Sequence, residues 1–331
     1  MIKFYPLLLA LALASCAHKG AGRAAETAAA GETVAAVHVP DFQADSAYRF
    51  VDEQVAFGPR VPNTPAHKAC GDFLAATLKR FGAQVYVQQM TLTAYNGTKL
   101  DCRNIIGSYK PAARKRVLLF AHWDSRPYAD NDSDPKEQRK PIDGADDGAS
   151  GVGVLLEMAR LMDKQAPDVG VDILFTDAED YGVPSFSSQR DDDNSWCLGT
   201  QFWARNPHTP NYHAQYGILL DMVGAKNATF YKEYTSQAQA PSLVEKIWDT
   251  ARNLGYGNFF IDADGGSIVD DHLYVISGRG IPCVDIINYA PDNKRGFADY
   301  WHTHADNMQI ISRETLKAVG QTLLNVIYKE R

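Results

Sequence analysis

Arg116-Val117-Leu118-Leu119-Phe120-Ala121-His122-Trp123-Asp124 is the stretch from which the fold can be read. Its centre is continuously apolar. A strand with one wet face alternates apolar and polar residues, so an unbroken run means that both faces of the sheet are covered. The run then stops abruptly at His122 and Asp124, two residue types that bind metals. Residues 171–176 repeat the plan and end at Asp177-Ala178-Glu179-Asp180. Further strands are expected over 85–92, 104–109, 216–223 and 281–287. Helical patterns fall over 65–81, 151–162, 241–254 and 314–328. In the last, Leu316, Val319, Leu323, Leu324 and Ile327 form one apolar stripe. The alternation predicts a single α/β domain, with a mixed, mostly parallel central sheet flanked by helices on both faces. Ligands of such sheets bind beyond the carboxyl ends of the strands.

The remaining composition narrows the function. The 331 residues carry a formal charge of −7, so there is no basic excess to neutralise a phosphate backbone, and nucleic-acid binding is excluded. Hydrophobic residues make up 45% and charged residues 22%, which excludes a disordered chain. Lys3, the apolar run 7–13 and Leu13-Ala14-Ser15-Cys16 resemble a bacterial lipoprotein signal. Residues 1–16 are therefore read as an export signal ending at a lipidated Cys16, and 17–42 as a flexible Ala/Gly-rich tether. Residues 43–331 are read as the α/β domain. The expected location is the periplasmic side of an envelope membrane, touched only through the lipid. Four other cysteines remain, Cys70, Cys102, Cys197 and Cys283. They allow three disulfide pairings or none, and no C-x-x-C suggests a cysteine zinc site.

Five polar groups follow the strands or open a helix: 122–124, 144–148, 177–180, Asp221 and 301–304. Each alone is unremarkable, since an Asp before a helix is ordinarily a cap. Together they converge on one sheet edge. Several carboxylates with few basic neighbours repel one another unless a cation sits among them. Histidine with Asp and Glu, and no Cys, suits zinc. The acidic stretches around Asp130–Asp134 and 191–193 are read as solvated loops, and His272 and His304 as structural.

His122-Trp123-Asp124-Ser125, Gly144-Ala145-Asp146-Asp147, Asp177-Ala178-Glu179-Asp180, Leu220-Asp221-Met222-Val223-Gly224, Asp270-Asp271-His272 and Trp301-His302-Thr303 resemble the zinc-dependent glutaminyl-peptide cyclotransferases. These belong to a zinc exopeptidase family that also holds aminopeptidases. The resemblance implies a six-stranded mixed sheet and one zinc per chain, with Asp147, Asp180 and His302 as its ligands. It implies Glu179 as the acid/base, Asp221 and Asp270 as assisting carboxylates, and Trp301 as a substrate-pocket wall. The implied substrates are peptides or proteins with N-terminal glutamine; a monomer is expected. The chain departs from the family at Asp180, where Glu is common. A two-zinc aminopeptidase is the alternative, using His122, Asp147, Asp180, Asp221 and His302. A binding lipoprotein with a dead site is the other.

Overall fold

The computed structural model describes residues 37–190 and 192–330. The export signal, Cys16 and most of the tether segment lie outside the described residues. From Val37 onward the chain forms one compact unit. Its strands are β1 (Gln84–Thr93), β2 (Lys99–Tyr109), β3 (Arg116–His122), β4 (Gly170–Thr176) and β5 (Gly217–Asp221). They are followed by β6 (Phe230–Lys232), β7 (Phe260–Asp264) and β8 (Cys283–Ile287). Six of them make the central sheet, in the order β1-β2-β4-β3-β5-β8. β3, β4, β5 and β8 run parallel, while β2 pairs antiparallel with β1 and with β4. β6 and β7 pair separately.

The apolar run of β3 behaves as its composition demands. Val117, Leu119 and Ala121 face one core cluster, and Leu118 and Phe120 face another. This is the two-residue period of a strand applied to a sheet buried on both sides. The first face is covered by α1 (Ala44–Val55), α2 (Pro65–Arg80), α3 (Ala149–Lys164), α6 (Pro241–Asn253) and α8 (Arg313–Tyr328). The second is covered by α4 (Leu198–Arg205) and α7 (Asp271–Arg279), through Trp203, Ala204 and Val275. A further short helix, α5 (Tyr234–Gln239), follows β6. β4 and β5 lie on opposite sides of β3. The sheet order therefore reverses at β3, and a crevice opens beyond its carboxyl end.

Ten predicted elements are present, with ends shifted by a few residues. The helices α1, α4, α5 and α7 and the small sheet were not anticipated. In α1 the spacing of Ala47, Phe50, Val51 and Gln54 is a helical stripe, and all four are buried. Helix starts follow local chemistry. Thr64 caps α2 by accepting from His67 N at 3.2 Å, with Pro65 at the first helical position, and Ser312 caps α8. No helix among the described residues is long and apolar enough to cross a membrane. The four cysteines after Cys16 are all free and buried.

Residues 37–42 lie against the domain. Phe42 is 1% exposed, and its backbone N–H donates to Gln321 Oε1 at 2.9 Å. Its ring fills the space that a side chain at Gly320 would occupy. Gly320→Val is therefore expected to expel the ring and cost about 1–3 kcal/mol by overpacking. That is several degrees of Tm, readable by thermal unfolding followed by circular dichroism.

Candidate active site

The predicted site residues gather beyond the carboxyl edge of the central sheet. β3 ends at His122, β4 leads into Asp177 to Asp180, and β5 ends at Asp221. Asp147 lies in the turn before α3, Asp270 caps α7, and Trp301 and His302 lie between β8 and α8. Asp147, Glu179, Asp180, Asp221, Asp270, Trp301 and His302 all line one cavity of about 580 Å³. Adjacent residues of a straight strand would point apart. Here Ala178 takes a left-handed φ of 51°, so the chain turns and both Glu179 and Asp180 reach the cavity. Met222 and His302 are also left-handed, at 48° and 56°. Such backbone is costly for residues with a side chain and gathers at functional sites.

Among the described residues, three groups of ligand-type atoms fall within 4.8 Å of one another: Asp147, Asp180 and His302; His122, Asp147 and Asp221; and Glu179, Cys197 and Asp270. His302 Nε2 lies 3.2 Å from Asp180 Oδ1 and 3.5 Å from Asp147 Oδ2. His122 Nε2 lies 3.0 Å from Asp147 Oδ1 and 3.2 Å from Asp221 Oδ1. Asp147 belongs to both. Asp147 Oδ2 and Asp180 Oδ2 are buried and have no hydrogen-bond donor. A buried carboxylate oxygen is rarely left so, and a cation between these two oxygens and the imidazole satisfies all three. The donor set, two carboxylates and a nitrogen, fits zinc. The shorter Asp at position 180 still brings its oxygen to this point.

The two histidines are supported differently. His302 Nδ1 faces Asp130 Oδ1 at 3.4 Å, which leaves Nε2 for a metal. His122 Nδ1 has no hydrogen-bond partner, and Asp124 approaches it only to 3.6 Å. Asp130 is itself gripped by the buried Arg126 through bonds of 2.8 and 3.0 Å. Arg126 also donates to Asp180 O at 2.9 Å and packs its guanidinium 4.5 Å from the Trp196 ring. The acidic stretch at 130 is thus corrected: Asp130 is 5% exposed and works inside the site, not on a solvated loop. Two more carboxylates shape the turns. Asp306 accepts from Asp146 N (2.7 Å) and Asp147 N (3.1 Å), and Asp124 accepts from Glu179 N (3.1 Å) and Asp180 N (3.3 Å). Gly148 adopts a φ of 91°, and a Cβ there would strike the His122 ring.

Burial pushes the Glu179 carboxyl well above its usual range, opposed by His122 and reinforced by Asp180 and Asp270. Burial and the Asp147 charge raise Asp180 to about 6. Asp270 rises through burial and the charges of Asp221 and Asp271. Asp147 instead falls, because His122, His302 and Arg126 outweigh its burial. Asp270 is grouped with Glu179, while Asp221 Oδ1 lies 3.2 Å from His122 Nε2. Trp301 stacks on His302 with ring centroids 3.8 Å apart, and on Phe297 at 4.5 Å. His272 is buried between Glu233 (3.4 Å) and Asp285 (3.7 Å), whereas His304 pairs with Asp132 at the surface.

Sequence reasoning missed Arg126 and Asp306, took Asp130 for a solvated loop residue, and gave Asp124 no role in holding the 179–180 turn. Of these, only the Arg126/Asp130 spacing was a local signal of pairing. Arg126→Gln strips the buried Asp130 of its one permanent cation, leaving it Ser185 N and the His302 ring, and is expected to cost about 3–5 kcal/mol in urea unfolding.

Comparisons with known proteins agree with this geometry. The family model for peptidase family M28 matches residues 104–327. A crystal structure of a Zn-dependent exopeptidase from Parabacteroides distasonis is 66% identical, with a TM-score of 0.88. The match covers 88% of this chain and 100% of that one. The glutaminyl cyclase of Tannerella forsythia is 63% identical with a TM-score of 0.87, over 88% and 100% of the two chains. The glutaminyl-peptide cyclotransferase of Bos taurus is 26% identical over 295 residues, 80% of this chain and 76% of that one. With its zinc-type donor set at the edge of this sheet, the chain belongs to peptidase family M28, among the glutaminyl cyclases.

Proposed function

We propose that this protein converts N-terminal glutamine of peptides or proteins to pyroglutamate, releasing ammonia, with one zinc held by Asp147, Asp180 and His302. The single observation that carries the zinc assignment is the pair of buried, unpartnered oxygens, Asp147 Oδ2 and Asp180 Oδ2, grouped with the His302 imidazole. Asp130 stands behind His302 Nδ1 at 3.4 Å, the arrangement that orients an imidazole toward a metal. A zinc ion there supplies Lewis-acid polarisation of the side-chain carbonyl.

The chain's own residues do the rest. The substrate's α-amine attacks its own Cδ, so the two reacting groups arrive already joined, and the protein has only to hold a folded conformer. The cavity does this with an apolar wall at Trp301. Glu179 takes the proton from the attacking nitrogen and returns it to the departing one. The C–N bond to the leaving nitrogen breaks as the ring bond forms, and ammonia leaves. A carboxyl held above its usual range by burial is suited to both roles at neutral pH. Asp270, buried beside Glu179 with Oδ2 unpartnered, would accept a hydrogen bond from the leaving ammonia.

The aminopeptidase alternative draws on the second triad, His122, Asp147 and Asp221. Zinc content separates the two readings: one ion per chain is expected, and two tightly held ions would favour hydrolysis. The proposal extends to location. Leu13-Ala14-Ser15-Cys16 supports a lipid anchor on the periplasmic side of the envelope.

Glu179→Gln is expected to keep zinc and the fold while cutting ammonia release from a glutaminyl peptide by about 10²–10⁴-fold. Asp180→Ala is expected to lose the metal, read as zinc per chain by atomic absorption. Retained activity in the first variant, or unchanged zinc in the second, would overturn the assigned role. For the anchor, Cys16→Ser should abolish incorporation of labelled palmitate in cells.

A further inference from the structure

The carboxyl of Glu179 is held by a thiol. Cys197 Sγ lies 3.2 Å from Glu179 Oε1 and donates its hydrogen there. The same residue's backbone N–H donates to Glu179 O at 2.9 Å. Leu198 N and Gly199 N continue the ladder to Ala178 O and Asp177 O, at 3.0 and 2.9 Å. Among the described residues, no other side chain donates a hydrogen bond to the Glu179 carboxyl. Cys197 is fully buried and does not line the cavity, so it acts from behind the glutamate.

Its backbone is a second, independent sign. Cys197 caps α4 with a left-handed φ of 54°. That is a conformation glycine adopts freely and a residue with a Cβ does not. A strained residue persists where the surroundings use it. The chemistry of the group also fits a holding role. Burial, together with the neighbouring carboxylates, keeps the thiol protonated. A neutral S–H has one hydrogen to give, and its only acceptor here is Oε1. It is a weak donor, so it orients a carboxyl without binding it as tightly as a hydroxyl or a cation would.

We propose that Cys197 is a positioning residue for this reaction: its S–H fixes the rotamer of Glu179 through Oε1 and leaves Oε2 for the reacting glutamine. The inference rests on Glu179 being the acid/base. It involves no covalent chemistry at sulfur, because a buried, protonated thiol is a poor nucleophile.

The test compares Cys197→Gly, Cys197→Ala and Cys197→Ser in the zinc-loaded enzyme, with ammonia release from a glutaminyl peptide as the assay. Glycine relieves the backbone and alanine keeps the Cβ; both remove the donor. The serine variant restores a donor. The expected result is a fall in kcat of about tenfold or more for Gly and Ala, with KM within about twofold. Zinc content stays at the wild-type value. Serine recovers kcat to within about threefold. Because glycine suits the local φ, that variant folds even where alanine does not. Wild-type kcat in the glycine variant would overturn the proposal. So would a loss in which KM and zinc content move together with kcat, since that reports a collapsed site. Glu179→Gln run alongside keeps the two ideas apart. If that variant is active, the acid/base assignment is wrong. If it is inactive while Cys197→Gly is fully active, only the role of the thiol fails.

Discussion

Asp147 is reached by two imidazoles at once, and the site is organised around that shared carboxylate. His122 Nε2 lies 3.0 Å from one of its oxygens and His302 Nε2 3.5 Å from the other. Asp180, Asp221, Glu179 and Asp270 crowd the same cavity. Without positive charge among them, so many buried carboxyls repel one another and take up protons. The protein answers in two ways. Arg126 supplies one permanent cation from beneath, and the unpartnered oxygens of Asp147 and Asp180 face a position that a metal ion can fill. The surrounding hydrogen bonds, from Asp306 to the 146–147 turn and from Asp124 to the 179–180 turn, exist to keep those oxygens aimed.

Much of this could be read from the residue order. β3 was legible because a strand covered on both faces must be apolar at every position, and Val117 to Ala121 are. The ligand-type residues were legible because parallel strands deliver whatever follows them to one edge. Other parts were not. Asp130 looked like one of several acidic residues in a polar loop. Its burial depends on Arg126 and on His302, the latter 172 positions away. Asp306 acts on backbone amides 160 residues upstream, and no side-chain pattern records a backbone partner. The helix α1 carries its stripe openly, but polar residues between the buried positions diluted it.

The two histidines stand at the same sheet edge and approach the same aspartate. Behind each Nδ1 lies a carboxylate, Asp130 at 3.4 Å from His302 and Asp124 at 3.6 Å from His122. Asp130 is in turn gripped by Arg126, whereas Asp124 accepts from the Glu179 and Asp180 amides. The two rings therefore differ in what holds the supporting carboxylate. A chemistry that needs one electrophile and a well-aimed glutamate draws on different surroundings from one that must also ionise water, even when the inner residues are alike.

The four sealed sulfurs carry a practical consequence. Oxidants and alkylating agents attack the thiolate, and burial withholds it: Cys70 is pushed up to about 12, and Cys102, Cys197 and Cys283 also rise. None of the four is exposed. In the folded domain these four thiols are therefore poor targets for oxidants and alkylating agents.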